Sequence, residues 1–180
     1  MEFPLLRGTN IGGWISQSNL TPAHIHSFIT ETDIDYIYNC GFNCIRLPID
    51  FLFLTPDGDI KNFSRQNWSL VEQLLDWCEK RSLYLVLDLH CSPGHSFSTP
   101  KQNDIWTNPL SRRQTLDLWL KMAELCCPRG PWLLYDILNE PTAPEHEQWN
   151  ELAREITQAI RTVDQKHTII VESNQWGNVN

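Results

Sequence analysis

The sequence predicts an α/β protein built on a parallel sheet, and three observations carry that prediction. Apolar stretches of strand length alternate with helical stripes along 180 residues. The connections between successive strands are long enough to hold a helix, as parallel pairing requires. One stretch, LYLVLDLH at 83–90, is apolar almost without interruption, as in a strand covered on both sides. Two architectures satisfy a βαβαβαβαβ order: a (β/α) barrel and an open doubly wound sheet.

The elements follow in order. LLRGTNI (5–11) reads as the first strand and ends at Gly12 and Gly13. Thr30 and Asp33 make a capping-box-like helix start, Ile34, Ile37 and Tyr38 form the stripe behind it, and Gly41 stops it. NCIRLPI (43–49) is the second strand. Ser69 and Glu72 read as a capping box for the next helix, whose face is Val71, Leu74, Leu75 and Cys78 at i, i+3, i+4 and i+7. After the third strand at 83–90, Leu116, Trp119, Leu120 and Ala123 mark another helix. WLLYDIL (132–138) is the fourth strand, Trp149, Leu152, Ile156, Ala159 and Val163 mark the last helix, and HTIIVES (167–173) is the fifth strand. The longest irregular stretches are 12–29, 50–63 and 91–110. The last two follow strands two and three directly, and loops after strands are where α/β proteins place their sites.

Composition narrows the function. A net charge of −8 without a basic run argues against nucleic acid, whose phosphates need a lysine and arginine footprint. Eight tryptophans exceed what the core alone calls for, and the surplus suits a ligand with an apolar face and polar edges, such as a sugar ring. Six cysteines, at 40, 44, 78, 91, 126 and 127, contain no CxxC pair and read as buried free thiols. Cys91, His90 and His95 lie close in sequence but match no zinc spacing. MEFPLLRG shows no secretory signal, and no apolar run approaches the roughly 18 residues of a membrane span. The sequence therefore reads as soluble, and as cytoplasmic as written or secreted if its start has been trimmed.

Polar residues gather at the C-terminal ends of the strands: Asn10, then Arg46, then Asp88 and His90, then Asn139 and Glu140, then Glu172 and Asn174, with Trp176 just beyond. Five successive strands each deliver a hydrogen-bonding group to one end, which is how parallel α/β folds assemble active sites. G-x-S-x-G and G-x-x-x-x-G-K are absent, and GTNIGG at 8–13 lacks the dinucleotide spacing.

RGTNIGGW (7–14), GFNCIRLPID (41–50), LVLDLHCSPG (85–94), YDILNEP (135–141) and IRTVDQKHTIIVESNQWG (160–177), in that order, resemble glycoside hydrolase family 5, the cellulase-type retaining β-glycosidases. RGTNIGGW and the HCSPG stretch (90–94) most resemble its β-glucanase and exo-glucanase branch. The resemblance implies a (β/α)8 barrel, of which residues 1–180 would form one incomplete domain with strands in the order 1-2-3-4-5. It implies β-glycoside hydrolysis with Glu140 as acid/base, Asn139 holding the sugar 2-hydroxyl, Arg46 positioning the nucleophile and His90 lining the cleft. Trp176, Asn10, His95 and Trp14 are assigned to substrate binding, and the partner is a β-glucan or oligosaccharide. The two-carboxylate mechanism calls for no metal or cofactor.

The family's nucleophile is a glutamate on strand seven, beside a histidine–tyrosine pair on strand six, and the sequence has no counterpart of either. Five strands leave the first and fifth as open edges, which invite self-association. Three alternatives stay open: a piece of a full enzyme, a half-barrel completed by a second chain, or a carbohydrate-binding remnant without catalysis.

Overall fold

A computed structural model describes residues 4–96 and 103–178. Five parallel strands, β1 (Gly8–Asn10), β2 (Cys44–Asp50), β3 (Tyr84–Cys91), β4 (Leu133–Asp136) and β5 (Thr168–Ile170), form one sheet in the order β1-β2-β3-β4-β5. That order has no switch point, so the doubly wound alternative falls away. β1 and β5 are shorter than the apolar patterns at 5–11 and 167–173 suggest. Each is paired on one side only, so its ladder has a single neighbour to follow.

Among the described residues six α-helices accompany the strands: α1 (Pro22–Ser27), α2 (Glu31–Asn39), α3 (Phe51–Leu54), α4 (Arg65–Lys80), α5 (Pro109–Cys126) and α6 (His146–Arg161). α1 lies in a stretch the sequence reads as irregular. Thr21 caps it by accepting the His24 N–H, and Pro22 opens it, a signal that apolar periodicity alone misses. α4 begins four residues before the capping box expected at Ser69. Ser64 is the cap, with its Oγ accepting the Asn67 N–H at 3.2 Å, because burying Trp68 rewards one further turn. Ser69 lies inside the helix and donates to the Gln66 carbonyl. At α2 the Asp33 carboxylate accepts from the Thr30 N–H and hydroxyl, as expected, while Tyr38 faces solvent rather than joining Ile34. Of the 91–110 loop, residues 97–102 lie outside the described residues.

Strand side chains alternate between faces. Ile45, Leu47 and Ile49 of β2, Leu85, Leu87 and Leu89 of β3, and Leu133, Tyr135 and Ile137 at β4 all join the main core with Ile34, Leu74, Trp119 and Ile156 of the helices. The opposite parity carries a separate small cluster, Cys44, Val86 and Leu134, edged by Leu6, Tyr84 and Ile170 and free of helix residues. The helical layer thus covers one face, and no helix residue joins the cluster on the other. Cys44, Cys78, Cys91 and Cys126 are buried, Cys127 is half-buried, Cys40 is exposed, and all six are free thiols. Burial pushes Cys78 and Cys91 up to about 12. Among the described residues no helix is long and apolar enough to cross a membrane.

Candidate active site

Along the face of Cys44, Val86 and Leu134, parity places Arg46 of β2, Asp88 and His90 of β3 and Asp136 of β4, and the Arg46 side chain reaches Asp136 at the end of β4 and Asn139 beyond it. Arg46 is the hub. Its guanidinium donates to Asp136 Oδ2 through Nε at 3.2 Å and Nη2 at 3.0 Å, and to Asn139 Oδ1 at 2.8 Å. It also pairs with Asp88 Oδ2 at 3.0 Å and Glu172 Oε1 at 3.4 Å. His90 Nδ1 lies 2.9 Å from Asp88 Oδ2. One guanidinium therefore faces three carboxylates.

The cluster is undersupplied with donors. Asp88 and Asp136 are buried, and among the described residues the Oδ1 of each has no hydrogen-bond partner. Burial, then the neighbouring Asp88 and Glu172 charges, push the Asp136 carboxyl up to about 7 against the pull of Arg46. Burial likewise raises Asp88, with His90 and Arg46 opposing. Burial works to lower Arg46, but Asp88 and Asp136 outweigh it and hold the guanidinium more firmly protonated.

Beyond β4 the chain turns sharply. Asn139 is buried, and its Oδ1 faces Arg46 because a guanidinium can only donate. Its Nδ2 makes no hydrogen bond among the described residues. Glu140 is exposed and sits at φ +46°, a left-handed backbone that costs a non-glycine residue about 1–2 kcal/mol. Its N–H donates to Glu172 Oε2 at 2.9 Å. Gln175 and Trp176 are also left-handed, at φ 60° and 61°. The Trp176 N–H donates to the Pro141 carbonyl at 3.2 Å, which brings the backbone of the exposed Trp176 beside the Glu140 turn.

The other expected binding residues divide. Asn10 is exposed at the end of β1, in register with Arg46, in a depression of about 340 Å³ lined by Gly8, Thr9, Cys44 and Arg46. His95 is buried, and its Nε2 donates to the Asn139 carbonyl at 2.9 Å, so it supports the turn from behind. Burial lowers its imidazole below the ordinary range, which favours the neutral ring. Gly94, just before His95, sits at φ +72°, where a Cβ would run into the Asp104 carboxylate and the Ser111 side chain. Trp14 is not at the site. It is buried in the core, with its indole N–H donating to the Ile25 carbonyl at 2.8 Å. Among the described residues no group of three or more histidines, cysteines or acids is arranged to hold a metal ion.

The sequence model for the cellulase family, glycosyl hydrolase family 5, matches residues 6–180. The chain belongs to that family. It is 32% identical over 170 residues to Endoglucanase C of Acetivibrio thermocellus, covering 94% of this chain and 50% of that protein. It is 27% identical over 172 residues to Cellodextrinase A of Ruminococcus flavefaciens, covering 94% of this chain and 50% of that protein. The crystal structure of endoglucanase Cel5A from Thermotoga maritima superposes with a TM-score of 0.77 at 27% identity, over 96% of this chain and 53% of that one. The chain spans about half the length of the curated relatives it matches.

In a family 5 chain the five strands are the first staves of a (β/α)8 barrel, here with the sheet unclosed. The Arg46 cluster sits where such a barrel opens. One member of this cluster, Asp136, does not emerge from the strand-end reading of the sequence, while Asp88 and Glu172 emerge there without an assigned role. The signal was available in strand parity: Leu134 and Asp136 alternate with the core-facing Leu133, Tyr135 and Ile137.

Proposed function

We propose that this chain carries the acid/base side of a β-glycoside hydrolase site that cuts O-glycosyl bonds of a β-glucan or related oligosaccharide by the retaining route. The observation that carries the reading is the Asn139–Glu140 pair at the end of β4. Asn139 is locked by Arg46 with its Nδ2 left for a sugar hydroxyl, and Glu140 stands exposed beside it. Glu140 as acid donates a proton to the glycosidic oxygen as the bond to the leaving sugar breaks. As base it then takes a proton from the water that hydrolyses the glycosyl–enzyme intermediate. Trp176 and Asn10 offer sugar contacts on either side, and His90 is fixed by Asp88 at the floor. In this reading residues 1–180 are part of a single barrel domain.

The retaining route needs a second carboxylate about 5–5.5 Å from the first. Glu172 is a poor candidate, because one oxygen holds the Glu140 N–H and the other faces Arg46. Asp88 and Asp136 are buried in the Arg46 cluster. We therefore assign the nucleophile to further staves that close the sheet between β5 and β1, from the same polypeptide, a second copy or another chain. A second reading, glucan binding without turnover, draws support from the same engagement of Glu172.

The test is hydrolysis of an aryl β-glucoside and a soluble β-glucan by the closed barrel, with the further staves supplied, and with calorimetric binding alongside. Glu140→Gln is expected to lower hydrolysis about 10²- to 10⁴-fold while leaving the urea midpoint unchanged. Wild-type turnover in that variant would remove Glu140 from the mechanism. Glucan binding by a folded but inactive protein would select the second reading, and neither binding nor turnover would refute both.

A further inference from the structure

We propose that Glu172 is a positioning residue for Glu140, tying the backbone of the acid/base residue to the Arg46 guanidinium and so fixing the direction in which Glu140 leaves the sheet. The proposal rests on the assignment of Glu140 made above. Its starting point is the left-handed backbone of Glu140, which needs external support to persist.

The peptide groups around Glu140 are held one by one. The Asn139 N–H donates to the Leu89 carbonyl, and the Asn139 carbonyl accepts from His95 Nε2. The Pro141 carbonyl accepts from the Trp176 N–H. Between these lies the Glu140 N–H, and its acceptor is Glu172 Oε2 at 2.9 Å. A carboxylate acceptor makes this bond stronger than a neutral one would.

Glu172 is well placed to bear that load. Its carbonyl accepts the indole N–H of Trp149 at 2.8 Å, and Trp149 is buried on α6. Its second oxygen points to Arg46 at the longer distance of 3.4 Å. The chain of support therefore runs from the helical layer through Trp149 and Glu172 to the Glu140 amide, with Arg46 steadying the carboxylate. Glu172 follows an edge strand, so the sheet ladder alone would not hold it there.

The experiment compares the 15N-labelled wild-type protein with Glu172→Gln and Glu172→Ala. It reads hydrogen-exchange protection of the Glu140 amide and the pH dependence of that amide proton's shift. Glu172→Gln keeps an oxygen acceptor and removes the charge. Its Glu140 protection is expected to stay within about threefold of wild type, while the part of the pH response due to Glu172 disappears. Glu172→Ala is expected to lose about tenfold or more in protection, with the amides of β2–β4 unchanged. Unchanged Glu140 protection in Glu172→Ala would overturn the proposal. A Gln variant as unprotected as the Ala variant would overturn it too, leaving an ion pair with Arg46 and no clamp. Neither readout requires turnover. Retained hydrolysis by Glu140→Gln would thus sink the catalytic assignment with the clamp intact, and loss of the clamp would leave that assignment standing.

Discussion

Two aspartate–histidine pairs sit at opposite ends of the same sheet, and they have opposite fates. At the N-terminal end of β5, Asp164 Oδ2 accepts from the Tyr135 hydroxyl at 2.6 Å and from His167 Nδ1. Its Oδ1 accepts the N–H groups of Lys166 and His167. Burial works to raise this carboxyl, yet the Tyr135, Lys166 and His167 donors outweigh it and bring it down to about 2. At the C-terminal end, Asp88 bonds His90 and shares Arg46 with Asp136 and Glu172, and burial pushes Asp88 and Asp136 upward instead. The residue types are the same. What differs is the supply of donors, and buried polar groups that lack them are the ones to examine for function. The saturated pair welds the turn into β5, with Arg161 also donating to the Asp164 and His167 carbonyls. The starved pair borders the turn that presents Glu140.

Breaking the starved cluster should have the largest effect. Arg46→Ala leaves Asp88, Asp136 and Glu172 without their shared counter-charge. It is expected to cost about 3–5 kcal/mol in urea denaturation at pH 7. A cost below about 1 kcal/mol would mean the carboxylates manage without Arg46, which would remove the contrast between the two ends.

Asp164→Asn should cost on the order of 2 kcal/mol at pH 7. The folded-state value lies below the unfolded one, so this stability is present above about pH 4 and drains away as pH falls toward about 2. The gap between variant and wild type, followed by urea titration from pH 7 to pH 3, should narrow over that window. A gap that stays constant would show that Asp164 works through shape and not charge.

Asp136→Asn gives a change of opposite sign. The folded Asp136 carboxyl titrates near 7, above its ordinary value, so the wild-type protein loses stability as pH rises through that interval and then levels off. The asparagine variant escapes that loss. Relative to wild type it should gain about 1 kcal/mol per pH unit between pH 5 and pH 7. A pH-independent difference in thermal midpoint across that range would put Asp136 in the same class as Asp164.

How much of this was legible in sequence depended on whether a residue's role was set by its own strand or by a distant neighbour. β2 and β3 were readable because their apolar runs are long, and the placement of His90, Asn139 and Glu140 was readable because strand ends gather polar groups in order. His95 and Trp14 share motifs with such residues, yet one supports the turn from behind and the other fills the core. Which way each side chain faces is decided by Asn139 and Ile25, 44 and 11 residues away. The bond from Glu172 to the Glu140 amide spans 32 residues, and no local pattern encodes it. The capping box read at Ser69 gave way to a cap at Ser64, where the helix gains the buried Trp68.

The six cysteines acquire a use from their placement. Cys40 is the exposed sulfur, Cys127 is partly covered, and the remaining four are sealed in the fold. An alkylating reagent attacks the thiolate, so the interior sulfurs are shielded by inaccessibility and, at Cys78 and Cys91, by scarcity of the reactive form as well. A fluorophore therefore lands first beside the C-terminal end of α2, on the side chain of Cys40 and far along the chain from Glu140. The tally of modified sulfurs becomes a gauge of unfolding that needs no substrate.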